Sequence, residues 1–258
     1  MDILSVIILG IVEGITEFLP ISSTGHLVLA SSLMKIPQTE FLKSFEIAIQ
    51  LGAIISVVTL YWKTLVFNRK MLKKIVIAFI PTALIGLIAY KFMRSFLLGS
   101  ETVVIWSLLL GGIFIIAFEL WHKRNDDKKE KATISYKEAF LIGLIQALAI
   151  VPGVSRSAAT IIGGLALGLN RKTIVEFSFL LAVPTMFAAV GLDLYKQAHF
   201  FTQSQYSYLI SGFVVSFLAA MVAIKFLLAF IKKNSFISFG IYRIILALLF
   251  LVRLFLRG

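Results

Sequence analysis

The chain has 258 residues, of which 59% are hydrophobic and 15% are charged, and its formal net charge is +12. Soluble domains are roughly 45–50% apolar and about 25% charged, so this composition excludes an ordinary soluble protein and predicts an integral membrane protein. Most Lys and Arg residues lie in short stretches between apolar segments, which favours membrane topology and anionic lipids as their cause and excludes a nucleic-acid partner. Because the chain has no cysteine, a disulfide framework and a thiolate site are also excluded.

The first apolar segment is interrupted by polar residues and is stopped by a proline. It contains Glu13 and Glu17 and ends at Pro20. The next apolar piece, about 26–34, is shorter than the roughly 20 residues needed to cross a bilayer. Two short helices around a Pro-Ser-Ser-Thr-Gly turn predict a re-entrant hairpin over about 2–34, which is tolerated only where protein or a wet cavity surrounds it.

Full-length spans alternate with a second interrupted segment. The stretches long enough to cross the membrane are about 44–62, 75–93, 103–121, 174–192, 207–231 and 237–256. Between the third and the fourth of them, residues 138–151 run to Pro152, and a short apolar piece follows SRSAAT. This pattern predicts a second re-entrant hairpin over about 138–169. The fold class is therefore an all-α polytopic membrane protein with two re-entrant helical hairpins and about six full transmembrane helices.

The two hairpins belong to an internal repeat. The pairs found at an offset of 132 are Pro20 and Pro152, Ser23 and Ser155, and Phe45 and Phe177. Repeat 1 then covers about 1–94 and repeat 2 about 138–231. Both copies show a hairpin followed by full spans, so we predict one pseudosymmetric membrane domain over 1–258.

The distribution of basic residues predicts the topology. Loops at 63–74, 122–137, 169–173 and 231–235 hold 15 Lys and Arg, whereas loops at 35–43, 91–102, 193–206 and 253–258 hold 7. The positive-inside rule places the first set in the cytoplasm. Because an odd number of spans separates the hairpins, they enter from opposite sides, which is an inverted-topology repeat. The tips then meet near the midplane, where Glu13 and Glu17 face Ser155 and Arg156.

The segment EGITEFLPISSTGH, residues 13–26, concentrates the chemistry of the first hairpin. Glu13 and Glu17 are spaced i, i+4 and share one helix face. Their like charges repel each other in a partly dry site, which favours a proton on one of them or a cation between them. The hydroxyls at the start of the second helix are Ser22, Ser23 and Thr24. One of them caps that helix, and the free N–H groups there offer an anion site.

The last two residues of this segment extend the same site. Gly25 has no side chain, so a bulky anion can approach its backbone. His26 is the only histidine inside an apolar segment. A lone buried histidine is usually a packed core residue, but beside two carboxylates and a serine an acid–base or nucleophilic role is favoured.

The second tip, PGVSRSAAT at 152–160, brings Arg156 into the membrane plane. An intramembrane arginine is costly and marks a functional site by default, and its planar fork suits two oxygens of one phosphoryl group. The alternative is an ion pair with Glu13 or Glu17, and both can hold in turn. The further donors at this helix N-terminus are Ser155, Ser157 and Thr160.

Other polar residues within spans are open to two interpretations. Glu46 and Gln50, again i, i+4, begin the first full span and either line the cavity or face elsewhere. Lys225 and Arg243 lie near enough to span ends for their charged groups to snorkel to the interface, which is the interpretation we favour.

These motifs, together with FEIAIQLGA at 45–53 and AFIPTALIG at 78–86, resemble the bacterial undecaprenyl-diphosphate phosphatase family, also called UppP or BacA, over essentially the whole chain. Where the family often has Ser-Arg-Ser-Gly-Ala-Thr, this chain has Ala158 for the glycine, which we expect to affect tip packing more than activity. The resemblance implies hydrolysis of undecaprenyl diphosphate to the monophosphate carrier and inorganic phosphate. That reaction recycles the carrier for cell-wall synthesis and confers bacitracin tolerance.

The resemblance also implies site residues and a location. Glu13 and Glu17 match the acidic motif, Ser22, Ser23 and His26 the Ser-Ser-Thr-Gly-His motif, and Ser155, Arg156 and Thr160 the second motif. It implies a divalent cation, magnesium or calcium, which Glu13 and Glu17 would hold. The expected partners are a polyprenyl diphosphate lipid and membrane lipids, and a homodimer stays open. The expected place is the bacterial cell membrane, with the site opening to the outer, periplasmic side.

Two questions stay open at this stage. Either His26 attacks phosphorus directly, or it activates Ser23 or a water. The alternative function is a transporter or flippase for polyprenyl phosphates, for which inverted repeats and re-entrant hairpins are typical. The phosphatidic acid phosphatase superfamily also uses Ser-Gly-His and Ser-Arg, but it needs a second histidine downstream, and none occurs between Arg156 and His199.

Overall fold

The computed structural model describes residues 1–92, 100–124, 130–197 and 202–256. The helices in this part of the chain are α1 (Ile3–Thr16), α2 (Ser23–Leu33), α3 (Glu40–Ala48), α4 (Gln50–Phe67), α5 (Arg69–Phe92), α6 (Glu101–Arg124), α7 (Tyr136–Gln146), α8 (Arg156–Ala166), α9 (Arg171–Gln197), α10 (Gln203–Phe230) and α11 (Ile237–Phe255), with a 3₁₀ turn at Ala147–Ile150. Parts of the predicted loops 91–102, 122–137, 193–206 and 253–258 lie outside the described residues.

Within the described chain, six helical segments are long and apolar enough to cross a membrane. They are the α3–α4 pair, which is nearly continuous across Ile49, and helices α5, α6, α9, α10 and α11. By contrast, α1 has 14 residues and α2, α7 and α8 have 11 each, too short to cross. The predicted all-α polytopic membrane protein is therefore confirmed, and the short helices form the two hairpins.

Both hairpin tips end in a serine that caps the second helix from a left-handed backbone. Ser22 has φ 72 and Ser155 has φ 78. The Ser22 hydroxyl accepts from Gly25 N–H at 3.3 Å, and the Ser155 hydroxyl accepts from Ala158 N–H at 3.1 Å. A positive φ is uncommon in residues other than glycine and persists only where the surrounding structure holds it. The two tips therefore share one strained backbone plan.

These caps correct the register of the predicted repeat. Ser22 and Ser155 are both N-cap residues and lie 133 residues apart, so the predicted offset of 132 is one residue short in the hairpins. The physical reason is an extra residue in the second turn, which includes Gly153 with φ 92. Ser23 therefore corresponds to Arg156, because each is the first residue of its helix. The repeat boundaries stay predictions.

The hairpin of each repeat packs against a full span of the other repeat. Helix α1 packs along α10, and α7 packs along α5. Glycines permit the close approach, since a Cβ added to Gly14 would collide with the backbone of Ser216 and one added to Gly143 would collide with Ala78. The Thr82 hydroxyl also donates to the Gly143 carbonyl at 2.6 Å. This packing carries both tips into the centre of the protein.

Helices α6 and α11 lie outside both predicted repeats and support the first hairpin. They pack against each other along Gly112 and Gly240, where an added side chain would collide with the partner helix. The apolar cluster that joins them to α2 is formed by Val28, Leu29, Val104, Ile105, Leu108, Ala247 and Phe250. The first tip is thus held from behind by two full spans.

The opposite side of the first tip is filled by aromatic rings. Phe18 packs edge-on against Phe179, with ring centroids 5.2 Å apart, and Tyr61 lies 6.4 Å from the same ring. Phe18 and Phe179 are both fully buried in the largest apolar cluster of the described chain. The first tip is therefore packed against aromatic side chains of α4 and α9.

Candidate active site

A cavity of about 480 Å³ lies between the hairpin tips, the first full span and the facing stretches of α5 and α9. Its polar lining at the tips consists of Glu17, Ser22, Ser23, Thr24, Ser155 and Arg156, and Glu46 and Gln50 of the first span also line it. Its apolar lining includes Ile47, Phe79, Leu87, Ile150, Met186 and Leu192. A mostly apolar space with a few convergent polar groups fits an amphipathic ligand.

Glu17 joins the two tips at the polar end of this cavity. The Ser23 hydroxyl donates to Glu17 Oε2 at 2.5 Å, and Arg156 Nη2 donates to Glu17 Oε1 at 3.3 Å. Ser23 and Arg156 occupy equivalent helix positions, so two repeat-related side chains converge on one carboxylate. The structure therefore brings the arginine of the second hairpin to the carboxylate and hydroxyl of the first.

Arg156 keeps hydrogen-bonding capacity that its protein partners do not use. Its Nη1 donates to the Ser178 carbonyl at 2.9 Å, and its guanidinium lies 5.9 Å from the Phe18 ring centroid. Its Nε is buried and has no hydrogen-bond partner among the described residues. An arginine fork binds a carboxylate or phosphoryl group best through two parallel bonds. Arg156 gives Glu17 only one bond, and that bond is long. The guanidinium can therefore accept a further anionic ligand.

Glu13 lies one helical turn before Glu17 and is completely buried behind the cavity lining. Neither of its carboxylate oxygens has a hydrogen-bond partner among the described residues, which is costly for a buried carboxylate. The described residues contain no group of three or more His, Cys, Asp or Glu arranged to hold a metal. Magnesium, however, is often bound by one or two carboxylates together with substrate phosphates and waters. Glu13 and Glu17 fit that smaller donor set.

The second repeat carries no acidic counterpart to Glu13. The residue 133 positions later is Gln146, which lines the cavity. Its amide donates to the Thr82 hydroxyl at 3.0 Å and to the Thr185 hydroxyl at 3.2 Å. At this pair of equivalent positions, only the first hairpin carries a carboxylate.

His26 does not lie where the sequence placed it. Its ring is not among the cavity-lining groups, and both ring nitrogens are occupied. Nδ1–H donates to the Ser22 carbonyl at 2.7 Å, because a carbonyl can only accept, and Nε2 then accepts from the Tyr242 hydroxyl at 2.8 Å. The ring also stacks on Tyr242, with centroids 5.6 Å apart. The structure thus directs His26 toward α11, and its predicted catalytic role stays a prediction.

Three of the predicted phosphate-binding residues lie behind the cavity lining. Gly25 gives its N–H to Ser22, and an added Cβ would face Val104 and Leu108 of α6. The Ser157 hydroxyl donates to the Phe18 carbonyl at 2.7 Å and so joins the two tips, and the Thr160 hydroxyl bonds Ser178 at 2.5 Å. These groups are taken up by packing, so the donors left at the tips are Ser22, Ser23, Thr24, Ser155 and Arg156.

Arg243 was predicted to snorkel to the interface, and this prediction is wrong. Its side chain is 0% exposed, and its guanidinium reaches the backbone of both hairpin tips. Its position in the middle of α11 was the only signal in the sequence, because backbone carbonyl partners leave no trace in residue identity. By contrast, Lys225 of α10 is exposed, as predicted for a snorkelling residue.

The fold and the site together define a class: an all-α multi-pass membrane protein with a buried carboxylate–hydroxyl–arginine cluster facing a largely apolar cavity. The sequence profile described as "Bacitracin resistance protein BacA" matches residues 6–249. The chain therefore belongs to the BacA family.

Named relatives match almost the whole chain. A protein of Sulfurihydrogenibium sp. named undecaprenyl-diphosphatase is 54% identical over 251 residues, which cover 97% of this chain and 98% of that protein. Proteins with the same name from Wolinella succinogenes and Aquifex aeolicus are 52% and 48% identical, over 97% and 95% of this chain and 98% and 95% of their own lengths. The resemblance inferred from the motifs is confirmed.

Proposed function

We propose that this protein hydrolyses undecaprenyl diphosphate to undecaprenyl phosphate and inorganic phosphate, and so recycles the lipid carrier for cell-wall synthesis and confers bacitracin tolerance. The names of the relatives support the reaction. The observation that carries the proposal is the Ser23–Glu17–Arg156 cluster at the hairpin tips, facing a largely apolar cavity. A diphosphate on a long prenyl chain has the same division between a charged end and an apolar body.

The hairpin tips bind the diphosphate in this proposal. Arg156 turns its fork from Glu17 to the phosphoryl oxygens, and the N-terminal N–H groups of α2 and α8 add partial positive charge. Hydroxyls of Ser22, Thr24 and Ser155 line the same end of the cavity. The apolar walls from α5 and α9 hold the first prenyl units. Binding energy from the chain then positions the terminal phosphorus.

Of the nucleophiles left open by the sequence, the geometry favours Ser23. Its hydroxyl already donates to Glu17, whereas the His26 ring is turned to Tyr242. Ser23 Oγ forms a bond to the terminal phosphorus while Glu17 Oε2 takes its proton. The bond from that phosphorus to the bridging oxygen breaks, and the electron pair leaves with undecaprenyl phosphate. Arg156 stabilises the charge spread over the transferred phosphoryl group.

Hydrolysis of the phosphoserine completes the cycle. Glu17 first passes the proton that it took from Ser23 to the departing undecaprenyl phosphate. A water then attacks phosphorus while Glu17 takes a proton from that water, the bond from phosphorus to Ser23 Oγ breaks, and Glu17 returns the proton to Ser23 Oγ as inorganic phosphate leaves. A divalent cation bound by Glu13 and Glu17 would neutralise part of the phosphate charge. Neither carboxylate oxygen of Glu13 is otherwise engaged among the described residues.

The six apolar spans and the charge distribution support the location that we propose. We place the protein in the bacterial cell membrane with its cavity open to the outer, periplasmic side. The support is the excess of Lys and Arg in the loops assigned to the cytoplasm.

The decisive experiment measures phosphate release from undecaprenyl diphosphate by the purified protein in detergent, with and without magnesium or calcium. We expect turnover by the wild type and loss of turnover by Ser23→Ala. Acid quenching followed by peptide mapping should locate a phosphoryl group on Ser23. Phosphate trapped on His26 instead would overturn the assignment of the nucleophile. Failure to release phosphate, together with transbilayer movement of polyprenyl phosphate in vesicles, would overturn the enzyme and favour the flippase.

A further inference from the structure

Arg243 uses every N–H group of its guanidinium on backbone carbonyls. The acceptors are Leu108 for Nε (3.3 Å), Pro20 and Val154 for Nη1 (3.4 and 3.0 Å), and Ser107 and Gly153 for Nη2 (2.9 and 2.8 Å). A guanidinium has five donors, so none is left over. The acceptors come from the first tip, the second tip and helix α6. One side chain therefore ties three separate parts of the chain together.

Helix α6 is shaped to admit this side chain. A Cβ added to Gly111 would collide with Arg243 Nη2, and one added to Gly112 would meet the Arg243 Cβ and the Gly240 carbonyl. Adjacent glycines lower helix stability relative to alanine. Their position beneath the guanidinium shows that the space is needed. Arg243 thus lies in a dedicated socket.

The bonding pattern distinguishes Arg243 from an ordinary buried ion pair. Among the residues that the structure describes, no carboxylate forms an ion pair with it, although it is completely buried. A buried charge without a counter-ion is tolerated only if its hydrogen bonds are complete. A neutral apolar residue would fill the same volume without that cost, but it could not join the carbonyls of two tips.

The neighbouring residue of α11 acts on the same tip. The Tyr242 hydroxyl donates to His26, and His26 donates to the carbonyl of Ser22, the strained cap. Two successive residues of a helix outside both repeats therefore reach the turn between α1 and α2. Helix α11 supplies the second tip with a contact as well, through Arg243.

We infer that Arg243 is a positioning residue that fixes the two hairpin tips relative to each other, and thereby aligns Ser23 and Glu17 of one tip with Arg156 of the other. The inference rests on the proposed phosphatase function for its kinetic consequence. Reacting groups held within about 3–3.5 Å lose on the order of 10²-fold in rate when displaced by 1 Å. Arg243 is not among the residues that line the cavity, and its hydrogen bonds go to backbone carbonyls, so its effect passes through the tips.

The first test compares Arg243→Ala with Arg243→Lys in detergent. We expect kcat to fall roughly 100-fold in Arg243→Ala while KM changes less than about threefold, because Arg156 still binds the phosphate. Arg243→Lys should lose nearly as much, since an ammonium keeps the charge but cannot span three sets of carbonyls. Added guanidinium chloride should restore part of the Arg243→Ala rate. Full activity of Arg243→Lys would mean that charge alone matters, and would overturn the inference.

A second test needs no substrate. Hydrogen–deuterium exchange of peptides covering residues 18–25 and 152–158 should accelerate in Arg243→Ala, while peptides around Arg171 exchange as in the wild type. Unchanged exchange at both tips would overturn the inference. Because this result does not depend on turnover, a wild type that releases no phosphate would refute the proposed function and leave the positioning role separately testable.

A smaller change at the same contact keeps the inference testable if Arg243→Ala does not fold. Gly111→Ala places one methyl group against the guanidinium, and Gly191→Ala is its matched control because an added Cβ there meets nothing within 4 Å. We expect a kcat about tenfold lower and faster tip exchange for Gly111→Ala, and neither change for Gly191→Ala. A second control removes another arginine of α11. Arg253→Met should leave kcat and tip exchange unchanged, since Arg253 donates to the Ser32 carbonyl at the far end of the hairpin. A folded Gly111→Ala protein with wild-type kcat and exchange would overturn the inference.

Discussion

The two hairpin tips share a backbone plan and differ in chemistry. Each has a serine cap with positive φ, and each directs the first side chain of its second helix at the cavity. In the first hairpin that side chain is Ser23, accompanied by Glu17, and in the second it is Arg156. The repeat therefore supplies two matched backbones, and the equivalent first helix positions carry a hydroxyl in one tip and a guanidinium in the other.

Two Arg–Glu ion pairs in the described chain differ in geometry. Arg171 donates through both terminal nitrogens to Glu119, at 2.5 and 2.7 Å, whereas Arg156 reaches Glu17 through one bond of 3.3 Å. The bidentate pair satisfies its carboxylate within the protein. The looser pair leaves room for exchange with a phosphoryl group. Arg156 thus differs from Arg171 in leaving hydrogen-bonding capacity for the ligand that we propose.

The largest expected effect comes from removing the cation of the second tip. Arg156→Ala should lower kcat by roughly 10³-fold or more, because arginines on transferred phosphoryl groups contribute on that scale. Arg156→Lys should recover only part of the loss, since a point charge cannot form two parallel bonds. Steady-state phosphate release measures both variants. A rate for Arg156→Ala within tenfold of the wild type would remove Arg156 from the site.

Glu17→Gln removes the carboxylate that joins Ser23 of the first tip to Arg156 of the second. The amide cannot take the proton of Ser23, so kcat should fall by about 10²–10⁴-fold. The same change frees Arg156 from its ion pair, so KM should stay level or fall. Kinetics over a range of substrate concentration separates the two constants. An increase in KM with kcat unchanged would show that Glu17 binds substrate rather than acting as a base.

The site was predictable where polar residues interrupt apolar segments. Glu17, Ser23 and Arg156 stand out in the sequence because bare polar groups are costly at membrane depth. The direction of His26 was not predictable, since it depends on a hydroxyl 216 residues later. Arg243 was missed because its partners are backbone carbonyls, which every residue carries. The spans, by contrast, follow from hydropathy alone, and all six were predicted.

The register of the repeat failed for another physical reason. Because sequence identity between the repeats is low, the alignment was anchored on the two prolines. The turns that follow these prolines differ by one residue before the serine cap. A change of one residue moves a side chain by about 100° around a helix, so register decides which group faces the cavity. Only the positive φ values of Ser22 and Ser155 fix the true equivalence.

A paired substitution of the caps tests whether the tips are structurally alike. Ser22→Ala and Ser155→Ala each remove one N-cap bond and should each lower stability by about 1 kcal/mol. Their effects on kcat should be modest and similar, in contrast to Ser23→Ala, which should stop turnover without loss of stability. Thermal melting in detergent and phosphate release measure the two quantities. A much larger loss of kcat in one cap variant than in the other would show that this cap also binds substrate.

The smallest effect on rate is expected at the bidentate ion pair on the other side of the protein. Glu119→Gln leaves the Arg171 guanidinium without its counter-charge and weakens a bond to the Phe236 N–H, so stability should fall by about 1–3 kcal/mol. The catalytic constants should stay within about twofold of the wild type, because Glu119 lies outside the cavity lining. Melting and kinetics on the same preparation check both expectations. A large fall in kcat without a fall in melting temperature would mean that the two ion pairs are coupled, and that the contrast between a structural and a ligand-binding arginine does not hold.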